Sequence, residues 1–195
     1  MASTISAGTS AGTAIAIAGD TTGNLAFTTQ AGTYTQTVPN VTGTVMVSGN
    51  MPAFAANVAV GKQTVSNNTV TKVQFSVESF DTGGCFNNTG STVTLNGIST
   101  PSYCFAPNVA GYYWLSFTSS NAPINGETYC YVVKNSSGAL GYDIQTSATF
   151  SLTANNFVYA NGTSDYFFIQ VVQGSGGNID YDSNTRFAGY LVRTA

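Results

Sequence analysis

Downstream of Phe54 the chain is one short apolar run after another, and none of them carries the spacing of an amphipathic helix. The segments VTKVQFSVESF, YYWLSFTSS, TYCYVVKN, SATFSLT, DYFFIQVVQ and FAGYLVRT are rich in Val, Phe, Tyr and Thr, whose branched or flat side chains suit a pleated surface. Clusters of Gly, Asn and Ser separate them at short intervals, and no window shows helical periodicity with caps at its ends. Such a chain buries its apolar faces only by stacking sheets, which predicts an all-β sandwich or jelly roll over residues 54–195. In DYFFIQVV, alternation sets Tyr166, Phe168, Gln170 and Val172 on one face and Phe167, Ile169 and Val171 on the other. Both faces are mostly apolar, so this strand is expected in the middle of two packed layers or beneath a neighbouring subunit.

Residues 1–53 have a different character. They are almost chargeless and built from Thr, Ala, Gly and Ser, with period-2 runs in NLAFTTQ, TYTQTVP and TGTVMVSG. Their apolar side chains are too few and too small for a private core, so the region is expected to order only against copies of itself or another protein. It reads as a small β-rich attachment and oligomerisation region in front of a head at 54–195.

Charged residues make up 7% of the chain, the net charge is −3, and no cationic cluster exists. This lacks the basic footprint with which proteins release counterions from a phosphate backbone, so nucleic acid is not expected as a partner. Histidine is absent, which removes the commonest general base and metal ligand together with every Ser–His or Cys–His nucleophile. Glu78 and Asp81 lie close in sequence, but a glycosidase pair needs a fixed separation across a cleft, and nothing in the pattern indicates one. No enzymatic activity is expected. Cys85, Cys104 and Cys130 lack the close spacing of a zinc site or redox dithiol and read as small buried hydrophobes. The alternative for them is one disulfide, between Cys85 and Cys104. The amino terminus has neither the basic start nor the apolar run of a secretory signal, and no segment approaches the roughly 18 apolar residues of a membrane span, so a soluble protein made in a cytoplasm is expected.

The lone Trp lies in FAPNVAGYYWLSF. Here Gly111 is expected to start a strand where two backbones approach closely, with Tyr113, Leu115 and Phe117 on the core face and Tyr112, Trp114 and Ser116 on the other. The spacing of Phe105, Gly111, Tyr113, Leu115 and Phe117 resembles the signature of the complement C1q globular head, a jelly roll of the tumour-necrosis-factor type. Upstream, Phe75, Asp81 and Phe86 match the first half of that signature. RFAGYLV, with Phe187, Gly189, Tyr190 and Leu191, is similar to the family's closing strand, and TSDYFFIQVVQGSGG to its penultimate strand and turn. Between Phe86 and Phe105 this chain is longer than the family by a stretch containing TVTLNGISTPS, where Asn96-Gly97 predicts a hairpin. The resemblance implies a ten-stranded jelly roll and a homotrimer, one sheet of each subunit buried around a threefold axis. Phe75, Phe86, Phe105, Gly111, Tyr113, Leu115, Phe117, Phe187, Gly189 and Tyr190 would then serve core and trimer packing. The core of a monomeric sandwich accounts for the same residues.

The leading segments MASTISAGTSAGTAIAIAGDTTGNLAF and VTGTVMVSGNMPAF resemble those of bacteriophage tail-fibre and other virion-surface proteins. This implies a non-enzymatic structural protein, made in the host cytoplasm and carried on the virion surface. The leading form is a short homotrimeric tail fibre, anchored to baseplate or tail through residues 1–53, whose head meets host-surface glycan. Candidate contact residues are Asn87, Asn88, Tyr103, Tyr142 and Tyr181, read as exposed loop positions. The alternatives are a capsid decoration or head-fibre protein that stabilises the shell, favoured by the shortness of the chain, and a polysaccharide depolymerase. No cofactor is expected. Asp180 and Asp182, with Asn178 and Asn184 nearby, could offer oxygens to calcium as some members of the resembled family do, but the spacing reads first as a solvated turn.

Overall fold

The computed structural model describes residues 51–120, 126–136, 138–145 and 151–195, except for the side chains of 141–143 and 145. Residues 1–50, which hold nearly all of the expected attachment region, and residues 146–150, which take in the first four residues of the SATFSLT run, lie outside it. The described residues contain strands and no helix. In chain order the strands are β1 (Ala53–Asn57), β2 (Gln63–Val65), β3 (Thr71–Lys72), β4 (Val77–Thr82), β5 (Val93–Leu95), β6 (Ile98–Thr100) and β7 (Gly111–Thr118). They continue with β8 (Thr128–Lys134), β9 (Gly138–Gln145), β10 (Thr153–Ala160), β11 (Phe167–Gln173), β12 (Ile179–Tyr181) and β13 (Arg186–Thr194).

Two antiparallel sheets form the sandwich: a five-stranded sheet in the order β10-β7-β13-β1-β4 and a four-stranded sheet in the order β3-β11-β8-β9. Two small pairs, β12 with β2 and β5 with β6, raise the strand count to thirteen where ten were expected. The β5–β6 pair is the hairpin expected at Asn96-Gly97, and both turn residues take positive φ, 49° and 81°. A tight primed turn requires that geometry and Asn-Gly tolerates it. VTKVQFSVESF is split between β3 and β4, with Val73 and Phe75 buried in the link.

The core lies between the two sheets. β7 alternates strictly, with Gly111, Tyr113, Leu115 and Phe117 buried and the residues between them facing outward. Phe54 stacks on Phe86 at 4.7 Å and on Phe105 at 4.4 Å, and meets Phe187 edge-on at 4.9 Å. Such offset and edge contacts suit the ring quadrupoles and stabilise by about 0.5–1.5 kcal/mol per pair beyond area burial. Phe75 and Phe167 are fully buried in the same cluster.

Two glycines allow this packing. A Cβ on Gly189 would lie 2.5 Å from Leu115 Cδ2 and 2.9 Å from Phe54 Cε1. One on Gly111 would lie 2.5 Å from the Arg193 carbonyl oxygen, so the close backbone approach is between β7 and β13. β11 is an inner strand of its sheet, and its outward Phe168 is only 7% exposed beneath a satellite cluster of Cys104, Val133, Tyr131 and Tyr166.

Candidate functional site

The outward face of the five-stranded sheet carries the largest group of exposed rings among the described residues. The register places Phe157 of β10 opposite Trp114 of β7, and Tyr190 of β13 on the other side of Trp114. One row along, Tyr159 and Arg193 flank Tyr112. Phe157 is 53% exposed, Tyr190 52% and Tyr159 44%, with Trp114 and Val192 also open to solvent. The same alternation that buries Tyr113 and Leu115 forces their neighbours outward, so the two faces of β7 are one sequence decision. Tyr112 stacks on Phe157 at 5.7 Å and tilts against Tyr159 at 5.5 Å, while the Arg193 guanidinium lies 4.7 Å from the Tyr112 ring centroid. These contacts hold the rings as one surface. Beyond β1, Phe80 and Val77 of β4 extend the exposed apolar residues to the sheet edge.

A shallow hollow of about 270 Å³ opens beside this face, lined by Lys134, Leu140, Asn156, Phe157, Val158 and Tyr159. Lys134 does not act as a free cation there. Its Nζ sits 2.7 Å from Asp165 Oδ2 and donates to the Tyr159 carbonyl at 2.9 Å. Burial works to raise the Asp165 pKa, but hydrogen bonds from Lys134, Asn135 and the Asn161 amide outweigh it and hold the carboxyl below the usual range.

Two of the residues read as receptor contacts, Asn87 and Tyr181, are buried. Asn87 is 1% exposed, a correction to its reading as an exposed loop residue. Its amide donates to the carbonyls of Ser91, Thr100 and Pro101, so it staples the base of the β5–β6 hairpin. Tyr181 is likewise corrected: it is fully buried in β12, and burial raises its phenol pKa, followed by a smaller effect of Cys130. Asn88 and Tyr103 are half-buried, and Tyr103 takes φ 54° in a tight turn. Tyr142 lies in β9, its side chain outside the described set. Of the packing residues, Phe75, Phe86, Phe105, Tyr113, Leu115, Phe117 and Phe187 are in the core, whereas Tyr190 belongs to the exposed aromatic face.

The carboxylates read as calcium candidates are engaged within the fold. Asp180 accepts from Thr64 Oγ1 at 2.8 Å, and Asp182 accepts from Ser120 Oγ at 2.9 Å and the Asn184 amide at 2.7 Å. Among the described residues no three His, Cys, Asp or Glu groups gather as a metal site. Asp81 accepts from the Phe86 amide at 2.8 Å and so fixes the turn after β4. Glu78 stands exposed on β4, its pKa raised by partial burial and then by Asp81. All three cysteines are buried and none is in a disulfide, which corrects the disulfide alternative. Cys85 lies against Asn108 at 3.4 Å, and Cys104 against Lys72 at 3.2 Å. Burial pushes the Cys104 thiol up to about 11, with the Lys72 charge opposing.

No family model and no curated protein matches the sequence. Among solved structures, murine APRIL at pH 8.5 superposes with a TM-score of 0.52 at 10% identity, covering 73% of this chain and 99% of that one. The globular domain of zebrafish complement 1qA gives 0.46 at 17% identity, over 74% and 99%. PRD1 vertex protein P5 gives 0.49 at 14% identity, over 74% and 73%. The last two superpose too loosely to add to the first, and identities this low speak to the fold alone. The described part of the chain is an all-β jelly roll, a fold it shares with murine APRIL.

Proposed function

We propose that this chain is a non-enzymatic structural protein that assembles as a homotrimer through the outer face of its five-stranded sheet. On a bacteriophage particle it would act as a short fibre, anchored by residues 1–53, with the head meeting host-surface glycan. The exposed aromatic face built on Trp114, Phe157, Tyr159 and Tyr190 carries this reading. Five strands about 4.8 Å apart and up to about eight residues long present roughly 600 Å². That is comparable to the ~800 Å² per partner of a standard stable interface. The face is apolar at its centre, its basic side chains are Arg186 and Arg193, and two further copies of this chain packed around a threefold axis would take it out of water. The virion reading is supported by the resemblance of the Thr/Ala/Gly/Ser-rich leading segment to those of bacteriophage tail-fibre and virion-surface proteins.

Sedimentation of the full chain tests the assembly. A species of three chains at micromolar concentration is expected, with Trp114→Glu and Tyr190→Asp reducing it to single chains that keep their β circular dichroism. A wild-type monomer, or variants that remain trimeric, would overturn the assignment of the face. Antibody against residues 54–195 applied to particles that carry the protein tests the location, and signal over the head instead of the tail would sink the fibre.

A further inference from the structure

We propose that Lys72 and Cys104 are the site of an oxidative covalent cross-link, an N–O–S bridge between the lysine nitrogen and the cysteine sulfur. The two residues are 32 apart in sequence, yet Lys72 Nζ lies 3.2 Å from Cys104 Sγ. Both are held there by other parts of the fold. Lys72 lies on β3, the edge of the four-stranded sheet, in register with Gln170, and its Nζ sits 4.4 Å from the Phe168 ring centroid. Cys104 follows the tight turn at Tyr103, its carbonyl accepts from the Asn87 amide at 2.8 Å, and the next amide, Phe105, donates to Phe167 at 2.9 Å. The thiol is directed at the Ser102 carbonyl, 3.5 Å away, which leaves a sulfur lone pair toward the lysine nitrogen. Among the described residues no carboxylate forms an ion pair with Lys72, so the sulfur is its close polar partner.

This separation selects the chemistry. One oxygen atom placed between nitrogen and sulfur spans the gap with a small displacement, whereas a direct sulfur–nitrogen bond would draw β3 and the Cys104 segment far closer. In the reaction, the Lys72 ammonium first gives one proton to solvent. Dioxygen then supplies the bridging atom: the O=O bond, the S–H bond and one N–H bond break, and N–O and O–S bonds form. The second oxygen leaves as water with the two hydrogens, so the four electrons lost by the thiol and amine pass to dioxygen. Two equivalents of hydrogen peroxide serve equally, leaving three waters. Cys104 is buried and stays a neutral thiol, so the bridge accumulates slowly. Cys85 faces Asn108 and Asn96, with no lysine contact among the described residues.

The test uses the full chain, one portion kept in dithiothreitol and others held for days in air or in dilute hydrogen peroxide. Each is denatured, its free thiols are alkylated, and intact and peptide masses are read. The oxidised portions are expected to gain the mass of one oxygen less two hydrogens and to alkylate two of the three cysteines. They should also yield a cross-linked peptide pair containing Lys72 and Cys104, which dithiothreitol separates. Lys72→Arg and Cys104→Ser should lose the species while Cys85→Ala keeps it. Three alkylated thiols under every condition, or the same mass gain in Lys72→Arg, would overturn the proposal. Should the variants fold poorly, the wild-type peptide map decides by itself.

Discussion

Placing a methyl group on Gly111 asks whether the closeness of β7 and β13 is a packing requirement or an incidental contact. In the wild-type fold the added Cβ would lie 2.5 Å from the Arg193 carbonyl oxygen, 2.7 Å from Leu191 Cδ1 and 3.1 Å from Thr194 Cα. Two of these three atoms are backbone, so no rotamer change relieves the overlap; the strands must separate by several tenths of an ångström or more. Overpacking of this kind costs about 1–3 kcal/mol. For a chain of this size about 1 kcal/mol moves the melting temperature by roughly 2–4 °C. Gly111→Ala is therefore expected to lower it by about 2–12 °C, with a parallel fall in the urea midpoint and an unchanged m-value. Gly138→Ala is the control: nothing lies within 4 Å of its Cβ position. Through the unfolded chain alone it should be neutral or stabilising by up to about 1 kcal/mol. Equal midpoints for the two variants would refute the reasoning.

Asn87→Ala removes an amide shared among the carbonyls of Ser91, Thr100 and Pro101 and the acceptor of the Thr89 amide and hydroxyl, while the Ser91 carbonyl keeps the Thr89 hydroxyl. A loss of about 2–4 kcal/mol is expected by urea unfolding, and a loss under about 0.5 kcal/mol would show the staple to be idle. The lowered Asp165 pKa makes its contribution fully present above the ordinary value of 3.8 and lost as pH falls through the folded-state value. The stability gap between wild type and Asp165→Asn, followed by thermal melts, should therefore be constant at neutral pH and close in acid; a gap independent of pH would contradict the Lys134–Asp165 tie.

What could be read from the residues and what could not divide along physical lines. β7, β8, β11 and β13 are visible because Val, Phe and Tyr alternate there without interruption, and the β5–β6 hairpin is visible because Asn-Gly has few other uses between apolar runs. β10 escapes that reading. Its sequence, TANNFVYA, opens with paired asparagines that look like a turn, yet pairing along β7 carries Asn155 and Asn156 in extended backbone. With β10 hidden, Phe157 and Tyr159 have no face, and the aromatic surface reduces to its Trp114 row. Asn87 and Tyr181 fail for another reason. Polar tips suggest exposure, but the Asn87 amide finds carbonyl partners inside the fold, and Tyr181 is buried by its ring in β12 although its hydroxyl has no hydrogen-bond partner among the described residues.

β1 is bonded on both sides, to β13 and to β4, over residues Ala53 to Asn57. It is also the strand that directly follows residues 1–50 in the chain. A pull applied ahead of Ala53 and directed along β1 loads its hydrogen bonds to both neighbours together in shear instead of peeling them one by one. Mechanical load entering by that route meets a strand held along both edges, so rupture has to break the β13 row and the β4 row together.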